Sequence, residues 1–564
     1  MRLGNPKASF GLFLGFHYIC HNMKRALIIT GLIIAIIFIA ELGVQLWLEA
    51  KVRHAVGHSV ASLGDSTSRI DIGRVSVNLL RRSITLHDVA AHIGGIRSGD
   101  KTATLYLRMG RLGAGGINIK DSTLILGRLE AELKEISVAK DSLAVSRNIS
   151  RKKEPHHDSG KPAAGRKITG KIKGVEIGEI RFGAGSMTQV TVGGRDTVSL
   201  SVKGLKASIS GFGSYADTPG GLAGALKNSR IEATARELEY GLPKVISRLR
   251  LDTVTLDSQK GTLTMTSLSL TPLTSKELYP YRTGRDWVEV VTGAIECSGI
   301  DFGRMAESRE LHIDSIGIAG AELRDRKDRN AHQLERYRYL FWETIHRWPF
   351  SIEVGKVAIR DLYAHYEEIA AGADTPGVIF FNRIDADLEG LTNMPSSTNQ
   401  YMTLKASGRV MDEAVVSATM LLPVHPDNDL FHVTGSLGEM DMEPFNAILD
   451  PLVRQARIKS GRIKRMDFKI EGREHRSSTV MTFLYDGLDV EMLRIKDGKP
   501  IERTLLTNIA NWFVIDDSNP LHGKIRTTET SATRDTSRSQ FSYLWRSLME
   551  GIKESVGVGK RKKH

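Results

Sequence analysis

The strongest pattern in the chain is an alternation of apolar and polar residues with a period of two, which is typical of β-strands with one dry and one wet face. One octet recurs in five places, with apolar residues at its first, third, sixth and eighth positions. Between the third and sixth positions the alternation slips by one residue, which a β-bulge or tight bend can absorb. The copies are "IDIGRVSV" from Ile70, "VEIGEIRF" from Val175, "LRLDTVTL" from Leu249, "LHIDSIGI" from Leu311 and "IEVGKVAI" from Ile352.

The fourth position of the octet is glycine or aspartate in every copy, and a polar residue follows it each time. These two residue types tolerate the left-handed backbone that a bulge requires. We therefore predict that the strands bulge or bend, with positive or unusual backbone torsions, at Gly73, Gly178, Asp252, Asp314 and Gly355.

Helical patterns are scarce between these strands. A parallel sheet covered by helices on both faces would show continuous apolar runs, whereas most strand-like segments here are half apolar and half polar. The sequence therefore predicts a mainly β fold, in which a long, twisted, antiparallel-rich β-sheet or groove carries few helices. One mid-chain helix is predicted in "HQLERYRYLFWETIHRW", with an apolar stripe formed by Leu334, Tyr337, Phe341, Ile345 and Trp348.

A second helix is predicted near the C-terminus, where residues 541–564 combine an amphipathic segment with a basic tail. Residues 516–540, rich in Ser, Thr and charge, are expected to form a linker before it. The helix has two physical uses: it can cap the open end of the sheet, or it can lie in a membrane interface. Its apolar face is predicted to consist of Phe541, Leu544, Trp545, Leu548, Ile552 and Val556.

Near the N-terminus, residues 26–48 are long and apolar enough to form a transmembrane anchor, at about 34 Å of helix. A cleaved signal peptide is the alternative, but Phe38 and Ala40 make a poor cleavage site and the apolar run is long for one. The anchor and its flanks include Lys24, Arg25, Ile33, Phe38 and Trp47, the last an interfacial aromatic.

The charges before the anchor predict its orientation. Residues 1–25 carry four basic residues and no acid, so this leader is expected in the cytoplasm, with Met23 as an alternative start. The β-rich body, residues 49–515, is then exported. We expect a single-pass inner-membrane protein whose N-terminus is cytoplasmic and whose body is periplasmic.

Composition narrows the choice of partners and chemistry. The net charge is +13, but Lys and Arg are mixed with acids instead of forming basic stripes, which favours an anionic membrane surface over nucleic acid. Motifs for phosphate loops, nucleophile elbows and zinc sites are missing, so no catalytic, cofactor-binding or metal-binding residue is predicted. Cys297, in a strand-like run, is expected to be a buried inert thiol. Asp516 and Asp517 are expected to open a turn.

The order of these segments resembles the AsmA-like proteins of Gram-negative envelopes, which include bridge-like lipid-transfer proteins. After the anchor, "SRIDIGRVSVNLLRRSITLHDVAAHI" looks like the family's opening strand pair. Residues 431–493 look like its C-terminal module: a strand, a short helix with "LDP", a strand opened by "SG" and then "TFLYDGLDVEMLR". The closing "FSYLWRSLMEGIKESVG" looks like its terminal helix. The resemblance implies a twisted sheet with an apolar inner face, along which phospholipid acyl chains lie.

Two functions from different classes follow. The first is a non-enzymatic, inner-membrane-anchored periplasmic β-groove that supports lipid transport, lipid organisation or outer-membrane assembly. The second is an anchored scaffold that binds other envelope proteins without lipid, since the dry face of each strand can also meet another sheet, as in a β-sandwich. An anchored hydrolase would need a cleft with convergent polar groups. The first two are distinguished by whether the dry faces close on each other or line one continuous open groove.

Overall fold

The computed structural model describes residues 68–98, 101–141, 173–193, 196–215, 224, 228–241, 247–308, 310–332, 334, 336–453, 456–496, 499–502 and 515–557. The predicted leader, the anchor at 26–48 and the basic tail lie outside these residues. In the part of the chain that is described, no helix is long and apolar enough to cross a bilayer.

Strands make up 64% of the structure, which confirms the mainly β prediction. The strands of the first half are β1 (Arg69–Asn78), β2 (Ser83–Ser98), β3 (Lys101–Gly115), β4 (Asn118–Lys120), β5 (Thr123–Asp141), β6 (Gly174–Gly193), β7 (Asp196–Tyr215), β8 (Arg230–Gly241), β9 (Ser247–Asp257), β10 (Thr262–Thr266), β11 (Ser269–Pro272), β12 (Trp287–Val291) and β13 (Ala294–Ser298). Those of the second half are β14 (Glu310–Ala319), β15 (Glu322–Asp328), β16 (Ser351–Ile369), β17 (Gly377–Thr392), β18 (Tyr401–Val410), β19 (Ala414–Pro423), β20 (Phe431–Leu437), β21 (Met440–Asp441), β22 (Ala456–Gly472), β23 (Arg476–Lys496), β24 (Lys499–Glu502) and β25 (Thr527–Thr533).

Among the described residues five helices accompany the sheet, as the scarcity of helical patterns predicted. A short 3-10 turn at Glu443–Phe445 precedes the fourth helix. The helices are α1 (Tyr279–Thr283), α2 (Phe302–Ser308), α3 (Phe341–His346), α4 (Asn446–Val453) and α5 (Gln540–Ser555).

The strands form one long mixed sheet in which most neighbours are consecutive in sequence. Among the described strands, the only parallel pairs are β5 with β6 and β16 with both β14 and β15. The other ladders are antiparallel, which confirms the antiparallel-rich prediction. β16 is long enough that its first half pairs with β14 and its second half with β15.

The strands contain the one-residue shift in alternation that the octets predict, because all four apolar residues of one copy lie on the same side of the sheet. Ile70, Ile72, Val75 and Val77 of β1 all pack into one cluster with Val89 of β2. The copy in β14 behaves in the same way, since its four apolar residues all join the main core. One residue in each strand is therefore passed over without throwing the later side chains onto the wrong face.

The positive torsion expected at the fourth position is wrong in its placement. None of Gly73, Gly178, Asp252, Asp314 and Gly355 has a positive φ. The positive φ is found instead on the residue across the antiparallel ladder, at a point where the regular pairing is interrupted. These left-handed residues are Asp88 (φ 50°), Gly211 (71°), Glu237 (46°), Gly299 (66°) and Gly390 (70°), in the same order.

Because one residue is passed over on both strands, the register is the same before and after the irregularity. Ile72 pairs with Val89 and Arg74 with His87, so Gly73 and Asp88 are skipped together. Glycine suits the octet position for a different reason than torsion: the backbones approach closely there. A Cβ on Gly355 would lie 2.7 Å from the carbonyl oxygen of Asp314 on the parallel neighbour.

The matched slips keep a row of apolar residues on one face of the sheet as it passes from strand to strand. Residues paired directly across a ladder lie on the same face, so a chain of such pairs traces a row along the sheet. We call one such chain, which runs from β1 to β22, the apolar row. It consists of Val75, Leu86, Leu112, Ala131, Phe182, Ala207, Ala233, Leu256, Leu263, Cys297, Ile316, Val357, Leu388, Leu404, Met420, Val433 and Ile470.

The opposite face is polar along the same strands. Glu130, the residue before Ala131, pairs with Arg181 across the ladder. Arg181 in turn pairs with Ser208, and Ser208 pairs with Glu232. Ion pairs between exposed side chains lie on this face, such as Arg181 with Glu179 at 2.7 Å. Pairs of this kind contribute about 0–1 kcal/mol each, so their main effect is to mark the wetted side.

Coverage of the apolar face differs along the sheet. α2, α4 and α5 pack on strands from β14 onward, and the main hydrophobic core lies beneath them. On β5 to β9 the members of the apolar row are only half-buried. There the sheet carries an apolar face that no helix of the described residues buries to the same extent.

The mid-chain helix is much shorter than predicted. Only α3 is helical, because the segment before it makes backbone hydrogen bonds to other parts of the chain, as when the amide of Arg338 donates to the carbonyl of Thr536 at 2.8 Å. Of the predicted stripe only Ile345 is buried, and the buried neighbours are Leu340 and Trp342 instead. Leu334, Tyr337, Phe341 and Trp348 are exposed.

The predicted linker at 516–540 is also partly wrong, because β25 lies within it and pairs with β23. Its sequence, "TTETSAT", has no large apolar residue. The strand therefore lacks the alternation by which the others could be recognised, and only its ladder partner makes it a strand.

The close approach at Gly355 gives a stability prediction. Gly355→Ala should lower the free energy of unfolding by about 1–3 kcal/mol, since the new Cβ meets a backbone carbonyl that cannot move independently. Gly317→Ala on β14 is the matched control, because the nearest atom to its Cβ would be 3.9 Å away. Denaturant unfolding measures both, and equal stability of the two variants would contradict the prediction.

Candidate functional site

An apolar cavity of about 580 Å³ lies between helices α4 and α5 and the apolar face of the sheet. Its volume is within the range of about 300–1,000 Å³ that small-molecule sites usually have. Met420, Val433 and Ile470, the last members of the apolar row, form part of its wall. The row therefore leads directly into this cavity, which is partly open to solvent.

Helix α5 can face this cavity because it packs on the sheet with a different stripe. Tyr543, Ser547, Gly551 and Ser555 recur every four residues and are buried against β23 and β25. The contacts are close: the Ser547 hydroxyl lies 2.7 Å from that of Ser477, and a Cβ on Gly551 would lie 2.9 Å from Met481 Cε. Small side chains thus hold the helix down and leave its large apolar side chains free.

The observed helix matches the predicted one to within one residue at each end. It covers apolar surface near the end of the sheet, and its predicted apolar face turns inward, over the cavity. Six of its side chains line the cavity, and they are the six predicted from the spacing: Phe541, Leu544, Trp545, Leu548, Ile552 and Val556.

Only two charged side chains contribute to the lining of the apolar cavity, and both have partners. Arg457 pairs with Asp450 at 2.7 Å, and Lys553 pairs with Glu550 at 3.0 Å. The rest of the lining is hydrophobic, so a ligand of this cavity is held by dispersion and water exclusion, not by hydrogen bonds.

A second, smaller compartment of about 340 Å³ adjoins the apolar cavity, and we call it the charged pocket. Ile379, Phe381, Ile448, Phe541 and Trp545 line both compartments, so the two share a wall of apolar side chains. The ionisable side chains of the charged pocket are Asp286, Asp325, Lys327, Arg329, Arg338, His365, Tyr366, Glu368 and Arg538.

Two of these charged residues stand on the apolar face of the sheet itself. Asp325 and Lys327 alternate with Leu323 along β15, and Asp325 pairs laterally with Tyr366, which pairs with Ile379. This lateral row of Asp325, Tyr366 and Ile379 is separate from the apolar row, and it places a charged residue on a face that is otherwise apolar. Buried charges of this kind are costly unless they are paired or bind something.

Several charges of the pocket are already paired. Arg338 donates to Asp286 at 2.8 Å, Arg329 pairs with Glu368, and the Tyr366 hydroxyl donates to the other oxygen of Glu368 at 2.7 Å. Burial and the Glu368 carboxylate raise the pKa of Tyr366 well above its ordinary value, so its hydroxyl stays a donor.

Asp325 is the carboxylate of the charged pocket that forms no ion pair in the described part of the chain, whereas Asp286, whose Oδ1 is also buried without a hydrogen bond, accepts from Arg338 through its other oxygen. The Oδ1 of Asp325 is buried and accepts no hydrogen bond from any described residue. Burial, together with the nearby Asp286 carboxylate, raises the pKa of Asp325 to about 7. Lys327, two residues along, forms no ion pair within the described part of the chain.

The other predicted site residues are not brought together. The octet positions lie on five separate strands, and Cys297 is buried in β13, where burial raises the pKa of its thiol. No group of three or more metal-binding side chains occurs within the described ranges. The predicted anchor residues lie outside the described residues: Lys24, Arg25, Ile33, Phe38 and Trp47.

Two further depressions, of about 850 and 620 Å³, lie on the polar face of the sheet. Their charged side chains are largely paired with each other, as Arg360 is with Asp387 at 2.7 Å and Arg465 with Asp467 at 2.6 Å. They are open concavities of a twisted sheet, lined largely by charged and hydroxyl side chains.

The charged pocket was missed by sequence reasoning. Asp325 and Lys327 stand in phase with Leu323 in "ELRDRKD", but a strand of mixed charge usually reads as solvated. The only indication in the sequence was the two-residue spacing that puts Asp325 and Lys327 on the same face of the strand as Leu323. Only the lateral pairing with Tyr366 shows that this face is turned inward.

The packing of α5 gives a second stability prediction. Gly551→Val should cost about 1–3 kcal/mol of unfolding free energy, since the added methyl groups meet Met481 beneath the helix. Arg546→Ala, on the exposed side of the same helix, should change stability by no more than about 0.5 kcal/mol. Chemical denaturation of both variants tests the prediction, and a neutral Gly551→Val would mean that α5 does not pack in this orientation.

The site thus combines a continuous apolar row, a partly open apolar cavity and a charged pocket that shares a wall with it. In comparisons with known proteins, no family model and no curated protein matches the chain.

Proposed function

We propose that this chain is an AsmA-like envelope protein, anchored in the inner membrane by residues 26–48, whose periplasmic sheet carries or organises lipid along its apolar face. The observation that carries the proposal is the apolar row, which continues through sixteen successive ladder pairings and leads into the apolar cavity. The role is non-enzymatic. Transport and organisation of lipid, or support of outer-membrane assembly through it, are the functions this surface fits.

The proposal is supported by the free-energy cost of exposing an acyl chain to water. Each methylene that leaves an apolar environment for water costs about 0.8 kcal/mol, so a chain of about fifteen methylenes faces a barrier of roughly 12 kcal/mol. On an apolar face the chain exchanges one dry environment for another, and the barrier falls without any strong binding step. A weak, uniform surface therefore suits movement of lipid better than a tight pocket.

The dimensions of the face agree with this use. Sixteen ladder spacings of about 4.8 Å extend over roughly 75 Å, and neighbouring rows on one face are about 7 Å apart along the strands. A second row runs beside the first in the second half of the sheet, for example through Met265, Ile295, Ile318 and Ile359. The apolar face is thus several side chains wide, enough for an extended hydrocarbon chain.

The alternative is an anchored scaffold whose apolar face binds other envelope proteins and no lipid. On β5 to β9 the members of the apolar row are half-buried, so either occupant could cover them. The cavity between α4, α5 and the sheet favours lipid, because its lining is almost entirely apolar and its volume of about 580 Å³ suits part of a hydrocarbon chain.

A photo-crosslinking experiment distinguishes the two. A photoreactive amino acid replaces Phe182 in the apolar row, and a matched control replaces Arg181, the adjacent residue on the polar face. We expect mass spectrometry of the full-length protein, irradiated in cells, to find lipid adducts at 182 and only background at 181. Protein adducts alone at 182 would support the scaffold, and lipid adducts of equal yield at both positions would contradict a specific apolar path.

The predicted topology has its own test. A reporter fused after His564 should be active only outside the cytoplasm, because Arg2, Lys7, Lys24 and Arg25 precede the anchor with no acid to oppose them. A second fusion of the same reporter after Met1 is the control and should report the cytoplasm. Cytoplasmic activity of the C-terminal fusion would overturn the proposed location of the body.

A further inference from the structure

The charged pocket needs an explanation that lipid chains do not supply. Apolar surface surrounds it: Leu323, Ala364 and Phe381 pair laterally one step before Asp325, Tyr366 and Ile379. An acyl chain gains nothing from a carboxylate, and a sheet that only carried hydrocarbon would be better served by another leucine. The charge is therefore placed for a polar part of the ligand.

The position of the pocket fits an amphipathic ligand. Because Phe541 and Trp545 line both compartments, a molecule whose chain fills the apolar cavity can extend past these two rings into the charged pocket. The ring of Phe541 also contacts Tyr366, at 6.1 Å between ring centroids, on the charged side. One apolar and one polar compartment in contact match a hydrocarbon tail and its headgroup.

The charges available to such a headgroup have both signs. Asp325 offers a buried oxygen without a hydrogen-bond donor, and Lys327 on the same face of β15 has no ion-pair partner among the described residues. The remaining ionisable groups that line the pocket with Asp325 are Asp286, Glu368, Arg338, Arg329, Arg538, His365 and the Tyr366 hydroxyl, and burial lowers the pKa of His365. The first four of these are paired with each other, and Arg538 is paired with Asp535 at 3.0 Å.

We propose that the charged pocket binds the headgroup of a zwitterionic aminophospholipid, whose ammonium donates to Asp325 and whose phosphate is paired with Lys327. This inference rests on the proposed function, since it assumes that lipid enters the apolar cavity. A primary ammonium has N–H groups that satisfy Asp325 Oδ1, whereas a quaternary ammonium has none. An anionic lipid without an amine would pair with Lys327 but leave Asp325 unsatisfied.

The ionisation of Asp325 adds a second readout. Only the ionised carboxylate attracts an ammonium strongly, and with a pKa near 7 it is half ionised at neutral pH. Binding of the amine lipid should therefore strengthen as the pH rises through 7 and weaken below it. Removal of the carboxylate should abolish this dependence.

The test measures lipid uptake by the full-length protein, purified in detergent, from vesicles that contain equal amounts of phosphatidylethanolamine, phosphatidylcholine and phosphatidylglycerol with identical acyl chains. We expect phosphatidylethanolamine to be enriched in the bound lipid. Asp325→Asn should reduce that enrichment about 10-fold, the scale of one charge-assisted hydrogen bond, without lowering the total lipid bound. Asp489→Asn, at an exposed aspartate on β23, is the matched control and should leave the enrichment unchanged.

The outcomes separate this inference from the proposed function. If lipid binds but Asp325→Asn and wild type share one headgroup profile at every pH, the headgroup site is wrong and the proposed function stands. If the wild-type protein takes up no lipid, both are wrong. Should Asp325→Asn fail to fold, Lys327→Met tests the same pocket with vesicles that also contain diacylglycerol of the same acyl chains, which has no phosphate. An unchanged preference for phosphatidylethanolamine over diacylglycerol in this variant would overturn the proposal.

Discussion

The structure depends on one constraint, which is that every strand must keep its apolar residues on the same face as those of its neighbours. A shift of one residue in any ladder would turn a whole strand over. The octets contain such a shift, and the sheet tolerates it because the neighbouring strand makes the same shift at the same place, as Gly73 and Asp88 do. The slip is thus a property of a pair of strands, and its cost is confined to one left-handed residue and one close backbone approach.

A single sheet with one continuous apolar face must have that face covered by something. In the second half α2, α4 and α5 do so, and they leave a cavity lined by the large side chains of α5. On β5 to β9 the members of the apolar row are half-buried in the described structure. The proposed lipid is the occupant that both regions can share.

The charged pocket gains its meaning from the same constraint. Asp325 faces inward only because β15 is in register with β16, where Tyr366 and Ile379 continue its row. A buried carboxylate without a donor is unfavourable in the free protein, and an ammonium-bearing ligand would remove that penalty. The cost in stability and the proposed preference for an aminophospholipid are two consequences of one side chain.

The sequence by itself determined the period of the strands, the presence of a slip in the octets, the scarcity of helices and the apolar stripe from Phe541 to Val556, because these depend on local alternation and spacing. Tertiary structure alone decided what local spacing does not contain. The torsion expected at Gly73 and its counterparts lies on the partner strand, and β25 is a strand only through its pairing with β23. The mid-chain helix begins only at Phe341, because the backbone of the segment before it forms hydrogen bonds with other parts of the chain. The charged pocket is of the same kind, since the face on which Asp325 lies is set by lateral register and not by the identity of its sequence neighbours.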